Sequence, residues 1–290
     1  MEAAMDYLER GLDGEIEYRR AAAEANCSTF HFLRMFLVVT GVTVGEYVRR
    51  RRLSRAAPEL SEGEARVTDL ALRFGYDSPD AFAKAFKREF GLTPSEARGG
   101  GVRLQIWPRM SFSVVLKGDR AMEFRIEKRD EFAVAGLTIR ASTENGANLR
   151  QIPAFWDECS NKGHVKALER AMPKDTKRGL LGVCVNDFDD KTNTFTYLIG
   201  IEHPTDARAR KALPRGCAEV AVPAGTWAVF SSRGPLPGAI QDVWKRIYAE
   251  WFPSSGYEHA NSPDLEVYGA GDTQAADYLC EVWLPVRKAS

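Results

Sequence analysis

Ser28-Thr29-Phe30-His31-Phe32-Leu33-Arg34-Met35-Phe36 and Ser78-Pro79-Asp80-Ala81-Phe82-Ala83-Lys84-Ala85-Phe86 share one pattern, S-x-x-x-F-x-[R/K]-x-F, at an offset of fifty residues. The offset continues without a gap through Gly41 and Gly91, Thr43 and Thr93, Glu46 and Glu96, and upstream through Ala21 and Ala71. A fixed-period repeat of this kind marks a duplicated structural unit. Each copy reads as two helices and a tight turn. In copy two, Val67, Leu70, Ala71 and Phe74 recur at the spacing of one helix face. Gly75 there, and Asn26 in copy one, are residues suited to the left-handed backbone that ends a helix. Ser28 or Ser78 follows as N-cap, and Pro79 sits just inside the second helix, where its missing N–H costs nothing. The second helix buries Phe32 and Phe36, or Phe82 and Phe86, and Gly41 or Gly91 closes it. Helix, turn and a second helix with an exposed face make a helix-turn-helix. Arg20 stands where copy two has the inward Leu70, so the first scaffold helix is expected to be weaker or slightly rotated.

Glu46 to Ala57 joins the copies as one long helix whose arginines, Arg49 to Arg52 among them, ring its surface. Such a connector clamps a DNA backbone or is simply solvated. The chain is 290 residues, about two domains at roughly 150 residues each. Gly99-Gly100-Gly101 is the natural boundary between them. Forty basic and forty acidic side chains give zero net charge, which excludes a wholesale nucleic-acid coat and a polyacidic tail. Positive charge for a nucleic acid must therefore be local. The five cysteines are odd in number and lack any CxxC or Cys/His cluster, as expected of core thiols in a reducing compartment. The first ten residues alternate charge around no apolar core, so no signal peptide is expected. The apolar runs are too short to span a bilayer. A cytoplasmic protein with no membrane partner, no metal site and no cofactor is expected.

After the glycines the texture changes to short β-branched and aromatic runs. Strands are predicted over 123–129, 132–139, 180–186 and 195–202, with a helix over 149–171. A second set follows, with strands over 218–222, 226–231, 264–269 and 278–286 and a helix over 238–252. Each half reads ββαββ, which suggests a duplicated α+β unit with two sheets about a pseudo-two-fold and a groove between them. Residues 102–117 are a candidate β-hairpin between the domains.

Residues 5–98 resemble the DNA-binding domain of AraC/XylS-family transcription regulators. The residues that carry the resemblance are the two repeated blocks, the Gly41-x-Thr43-x-x-Glu46-Tyr47 and Arg51-Arg52-Leu53-x-x-Ala56-Ala57 junction, and Gly91-Leu92-Thr93-Pro94-Ser95-Glu96-Ala97-Arg98. The resemblance implies seven helices, with two recognition helices entering successive major-groove segments roughly one turn, ~34 Å, apart. The base-facing positions would be Thr29, Phe30, Leu33 and Arg34 in copy one, with Phe30 and Leu33 equally placed to be core. In copy two they would be Pro79, Asp80, Ala83 and Lys84. Arg34 is the best guanine reader and Lys84 suits a base or phosphate. Ser28 and Ser78 head helices whose N–H groups suit phosphate, and Arg49 and Arg50 are the favoured backbone contacts in the connector.

Residues 122–288 resemble the GyrI-like effector-binding domain. The motifs are Trp251-Phe252-Pro253-x-Ser255-Gly256-Tyr257, Asp264-Leu265-Glu266-Val267-Tyr268 and Glu281-Val282-Trp283-Leu284-Pro285-Val286, with Pro153-x-Phe155-Trp156 and Gly225-Thr226-Trp227 in support. Strand alternation sets Glu266 and Tyr268 on one face and Leu265 and Val267 on the other, while Glu281 and Trp283 share a face. A carboxylate among aromatic rings receives organic cations, each ring adding ~0.5–2 kcal/mol. The resemblance also places a glutamate of this strand in the pocket. Glu266, Tyr268, Trp283, Trp227, Trp156 and Tyr197 are the expected ligand-binding residues. Trp227 and Trp283 are equally placed for pocket or core, and Trp156 and Trp244 at helical spacing read more readily as core.

No G-x-S-x-G, HExxH or P-loop is present, so no catalytic residue is assigned. Glu266 with Tyr197 or Tyr268 leaves small-molecule hydrolysis, or sequestration of a protein, as alternatives. The expected architecture is multidomain. An all-α tandem helix-turn-helix occupies 1–99, a linker 100–121 and an α+β duplicated domain 122–290. The expected function is transcription regulation on double-stranded promoter or operator DNA, answering a small apolar or cationic effector, with RNA polymerase a further partner.

Overall fold

A computed structural model describes residues 1–289 apart from 26, 64, 99–102, 112–121, 174–178 and 190. The chain divides into two compact units, one of residues 1–37 and 42–113, the other of 38–41 and 114–290. The expected glycine boundary and the Asn26 helix end lie outside the described residues. So does part of the predicted hairpin; its described part, residues 103–111, holds no strand.

The first unit contains seven described helices. They are α1 (Glu2–Arg10), α2 (Tyr18–Glu24), α3 (Thr29–Thr40), α4 (Val44–Ser61), α5 (Val67–Arg73), α6 (Pro79–Phe90) and α7 (Pro94–Arg98). Helices α2–α3 and α5–α6 are the two helix-turn-helix copies. The caps recur with the repeat. Ser28 Oγ accepts from His31 N–H at 3.3 Å and Ser78 Oγ from Ala81 N–H at 3.1 Å. Thr43 Oγ1 likewise accepts from Glu46 N–H, and Thr93 N–H donates to the Glu96 carboxylate. Phe82 and Phe86 are fully buried in a core that α4 supplies with Leu53, Ala56, Ala57 and Leu60. Phe32 and Phe36 are equally buried, and Phe36 lies 5.6 Å from the Tyr47 ring.

The copies slip by one residue in the scaffold helix. α2 and α5 begin at Tyr18 and Val67, whereas α3 and α6 begin at Thr29 and Pro79, fifty apart. The inward pair is Ala21 and Ala22 in α2 against Leu70 and Ala71 in α5. Arg20 thereby turns out to solvent, paired with Glu17, which is the rotation its charge demands.

The second unit begins with β1 (Phe124–Arg129) and β2 (Phe132–Ser142), followed by α8 (Asn148–Asn161) and α9 (His164–Ala171). A turn through Gly163 thus divides the single helix expected over 149–171. Then come β3 (Leu180–Cys184), β4 (Thr194–Glu202), a short α10 (Ala207–Ala212), β5 (Ala218–Val222) and β6 (Gly225–Arg233). Helix α11 (Gly238–Arg246) runs through a π-helical turn (Ile247–Trp251) into α12 (Phe252–Ser255), and β7 (Tyr257–His259), β8 (Asp264–Tyr268) and β9 (Leu279–Lys288) end the chain.

The halves do not form two sheets. The strands make one antiparallel nine-stranded sheet in the order β1-β6-β9-β8-β3-β4-β2-β5, with β7 paired to β9. The first strand of each half is exchanged: β1 edges β6, and β5 edges β2. The pseudo-two-fold falls between β3 and β8, where Gly182 faces Glu266. The β3–β8 ladder joins the halves into one sheet, while the exchange pairs the first strand of each half with the other half.

Candidate functional site

The two recognition helices present different surfaces. On α6, Pro79, Asp80 and Lys84 are exposed and Ala83 and Ser78 half-buried. On α3, Thr29, Phe30 and Leu33 are buried, and Ser28 and Arg34 half-buried. The connector arginines are held within the first unit. Arg51 makes paired contacts with Glu9 at 2.8 Å, and Tyr47 donates to the same carboxylate at 2.6 Å. Arg52 donates to the carbonyls of Leu12 and Gly14. Arg50 pairs with Glu46 and stacks 4.2 Å from the Trp107 ring centre. Arg49 is half-buried. No described helix is long and apolar enough to cross a membrane.

On the sheet, the β3–β8 seam places Glu266 centrally. Its carboxylate accepts from Trp244 Nε1 at 2.8 Å and from the Tyr268 hydroxyl at 2.8 Å. Trp156 on α8 meets the Tyr268 ring edge-on at 5.1 Å and donates its indole N–H to the Tyr197 oxygen at 3.0 Å. Two helices from opposite halves thus each bring an indole to the two-fold seam. Gly182 makes room: a Cβ there would lie 2.3 Å from the Tyr197 oxygen and 3.3 Å from the Tyr268 ring. Only glycine lets both phenols lie over β3 beside the carboxylate. Burial first, and then the Glu266 charge, push the Tyr197 and Tyr268 phenols well above the usual tyrosine range. Both therefore remain protonated at neutral pH, and Tyr268 acts on the carboxylate as a donor.

The expected ligand residues are split by the sheet. Glu266 pairs across to Val282, so Trp283 projects to the other face. Trp227 and Trp283 sit there 6.3 Å apart, buried among Leu265, Val267, Leu181 and Val183. Trp283 donates to Glu281, which Arg125 holds at 2.7 Å, and Arg129 lies 4.3 Å over the Trp283 ring. These two tryptophans are core, not neighbours of Glu266. Sequence reasoning instead passed over Trp244 and Tyr248. The signal was the spacing Trp244, Tyr248, Phe252 on one helix face, whose rings stack at 5.8 and 5.9 Å across the π-helical turn. Such widened turns recur at functional sites.

The comparisons with known proteins follow this division. Residues 21–100 match a family described as a helix-turn-helix domain, and residues 125–286 match one described as an integron-associated effector binding protein. The transcriptional regulator Rob of Salmonella typhimurium is 26% identical over 296 residues, covering 97% of this chain and 96% of the relative. The right origin-binding protein of Escherichia coli K12 is 26% identical over 294 residues, with the same coverage of both. The regulatory protein SoxS of Salmonella typhimurium is 36% identical over 98 residues, 34% of this chain and 92% of that one. These relatives are thus a transcriptional regulator, an origin-binding protein and a regulatory protein. With an AraC-type helix-turn-helix domain ahead of a GyrI-like sheet domain that spans more than half its length, the chain belongs to the integron-associated effector binding protein family.

Proposed function

We propose that the protein is a one-component transcription regulator. Residues 1–99 bind double-stranded promoter or operator DNA, residues 122–290 take a small apolar or cationic effector, and residues 100–121 join them. Effector binding biases DNA affinity or contact with RNA polymerase, in the cytoplasm and without a cofactor. The two helix-turn-helix copies and the regulator relatives support the DNA half. The observation that carries the effector half is the Glu266 carboxylate, ringed by Trp156, Tyr268 and Trp244 and held by two neutral donors. Aromatic rings beside a carboxylate favour a cation over a neutral guest.

Tetraphenylphosphonium, a lipophilic monocation, is the probe. Titrated calorimetrically into the full chain, it is expected to bind wild type and to lose at least tenfold in affinity with Glu266→Gln, which removes the charge and keeps an acceptor for the Trp244 indole, while the contact with the Tyr268 hydroxyl reverses its direction. Equal affinity for the two proteins would remove the cation-receptor role. On the DNA side, affinity for the duplex upstream of the coding sequence is expected to fall steeply with salt, and a slope near zero would remove that half.

A further inference from the structure

Residues 103–111 hold no helix or strand, yet they are fastened at intervals across the first unit. At one end Leu104 packs against the core of the second helix-turn-helix copy. At the centre the Trp107 N–H donates to Ser54 Oγ at 2.9 Å, and the Trp107 carbonyl accepts from Arg51. The Trp107 indole stacks on Arg50 and donates to Glu89 of α6 at 2.7 Å. At the other end Arg109 pairs with Glu2 and Asp6 of α1 at 2.6 and 2.7 Å. One extended segment therefore touches α1, which packs on α2 of the first copy, the shared helix α4, and α6 of the second copy.

We propose that this segment is a splint and that Trp107 is a positioning residue for DNA recognition, setting the separation of the two recognition helices. The inference rests on the DNA-binding role assigned above. Two recognition helices read one face of a duplex only if their spacing matches the groove repeat, about one helical turn. Helix α4 is the element common to both copies, and it carries Pro58, which removes one of its backbone hydrogen bonds. A single helix so interrupted bends at little cost. A strap anchored on both sides of α4 resists that bend. The Arg109 pairs are surface pairs and add little by themselves. The hold lies at Trp107, whose backbone and side chain engage α4 and α6 together.

The test uses the full chain and a duplex selected by the wild type from a randomised library. A second duplex carries one extra base pair between its half-sites. Wild type is expected to lose at least tenfold in affinity on the insertion. The double variant Trp107→Ala, Arg109→Ala is expected to lose less than threefold on the same insertion, while binding the parent duplex within tenfold of wild type. Trp107→Phe keeps the stack on Arg50 and loses the Glu89 bond, and is expected to fall between them. It also serves as the measured variant if the double variant fails to fold. An undiminished spacing penalty in whichever variant folds overturns the splint while leaving the DNA role intact. Failure of the wild type to select any duplex overturns both.

Discussion

Helices α3 and α6 descend from the same repeated block, yet they offer different surfaces. Where α6 presents Asp80, Ala83, Lys84 and Lys87, α3 carries Phe30, Leu33, Arg34 and Leu37 at the corresponding positions. Lys84 and Lys87 are exposed, whereas Phe30 and Leu33 are 6% and 8% exposed. The inward faces, with their phenylalanine pairs, remain alike. Duplication has thus kept the scaffold, which packing fixes, and released the outward face, which only a partner constrains. The scaffold helices end alike, on Ala25 and Phe74 in ordinary negative φ; after α5 comes Gly75 at φ +72°, where a Cβ would sit 2.9 Å from the Arg52 guanidinium.

If the scaffolds are equivalent, Phe32→Ala and Phe82→Ala should each cost about 3–5 kcal/mol in urea unfolding. A much smaller cost for one would break the equivalence. Gly75→Ala should cost about 1–2 kcal/mol from the left-handed backbone alone, with the Arg52 contact adding to it, read as a lowered Tm. No effect would mean that the turn relaxes freely. Lys84→Ala should weaken DNA binding on all sequences and lower the salt slope by about 1, whereas Phe30→Ala should leave the slope unchanged and reduce stability. The reverse result would assign the backbone contact to α3.

The smallest expected effect concerns the carboxylates at the matching positions Glu9 and Glu59. Burial works to raise the Glu9 pKa, but the Arg51 and Tyr47 hydrogen bonds and the Arg51 and Arg109 charges outweigh it and hold the group below its usual range. Its folded pKa is depressed, so its contribution is present above the ordinary carboxylate range and lost as pH falls through the lowered value. Glu9→Gln should therefore flatten the acid limb of stability against pH. Glu59 pairs with the more exposed Arg73, and its replacement should cost less stability than that of Glu9.

Much of this was legible in the sequence for local reasons. The repeat, the serine caps and the phenylalanine pairs are patterns within one chain segment, and each appears where expected. Alternation within β8 correctly separates Glu266 and Tyr268 from Leu265 and Val267. Contacts between distant segments were not legible. The β3–β8 pairing, which turns two sheets into one, and the exchange of β1 and β5 depend on partners that no local pattern specifies. The same holds for Trp283: its face relative to Glu266 follows from the Glu266–Val282 register, which alternation inside one strand does not contain. Trp244 escaped because a tryptophan at helical spacing reads as core, and only the fold brings it to a carboxylate on β8. The salt-bridged connector shows the same limit, since Arg50, Arg51 and Arg52 read as a basic ring until their partners Glu46, Glu9 and Leu12 are placed.

The central claim is that occupancy of the Glu266 site changes DNA binding. The direct measurement is the affinity of wild type and Glu266→Gln for the selected duplex, with and without saturating tetraphenylphosphonium, at one fixed salt concentration. A coupled regulator gives a several-fold shift in wild type, corresponding to about 1–3 kcal/mol of coupling, and a shift near zero in Glu266→Gln at the same cation concentration. Identical affinities in wild type with and without the bound cation, or equal shifts in both proteins, would contradict it.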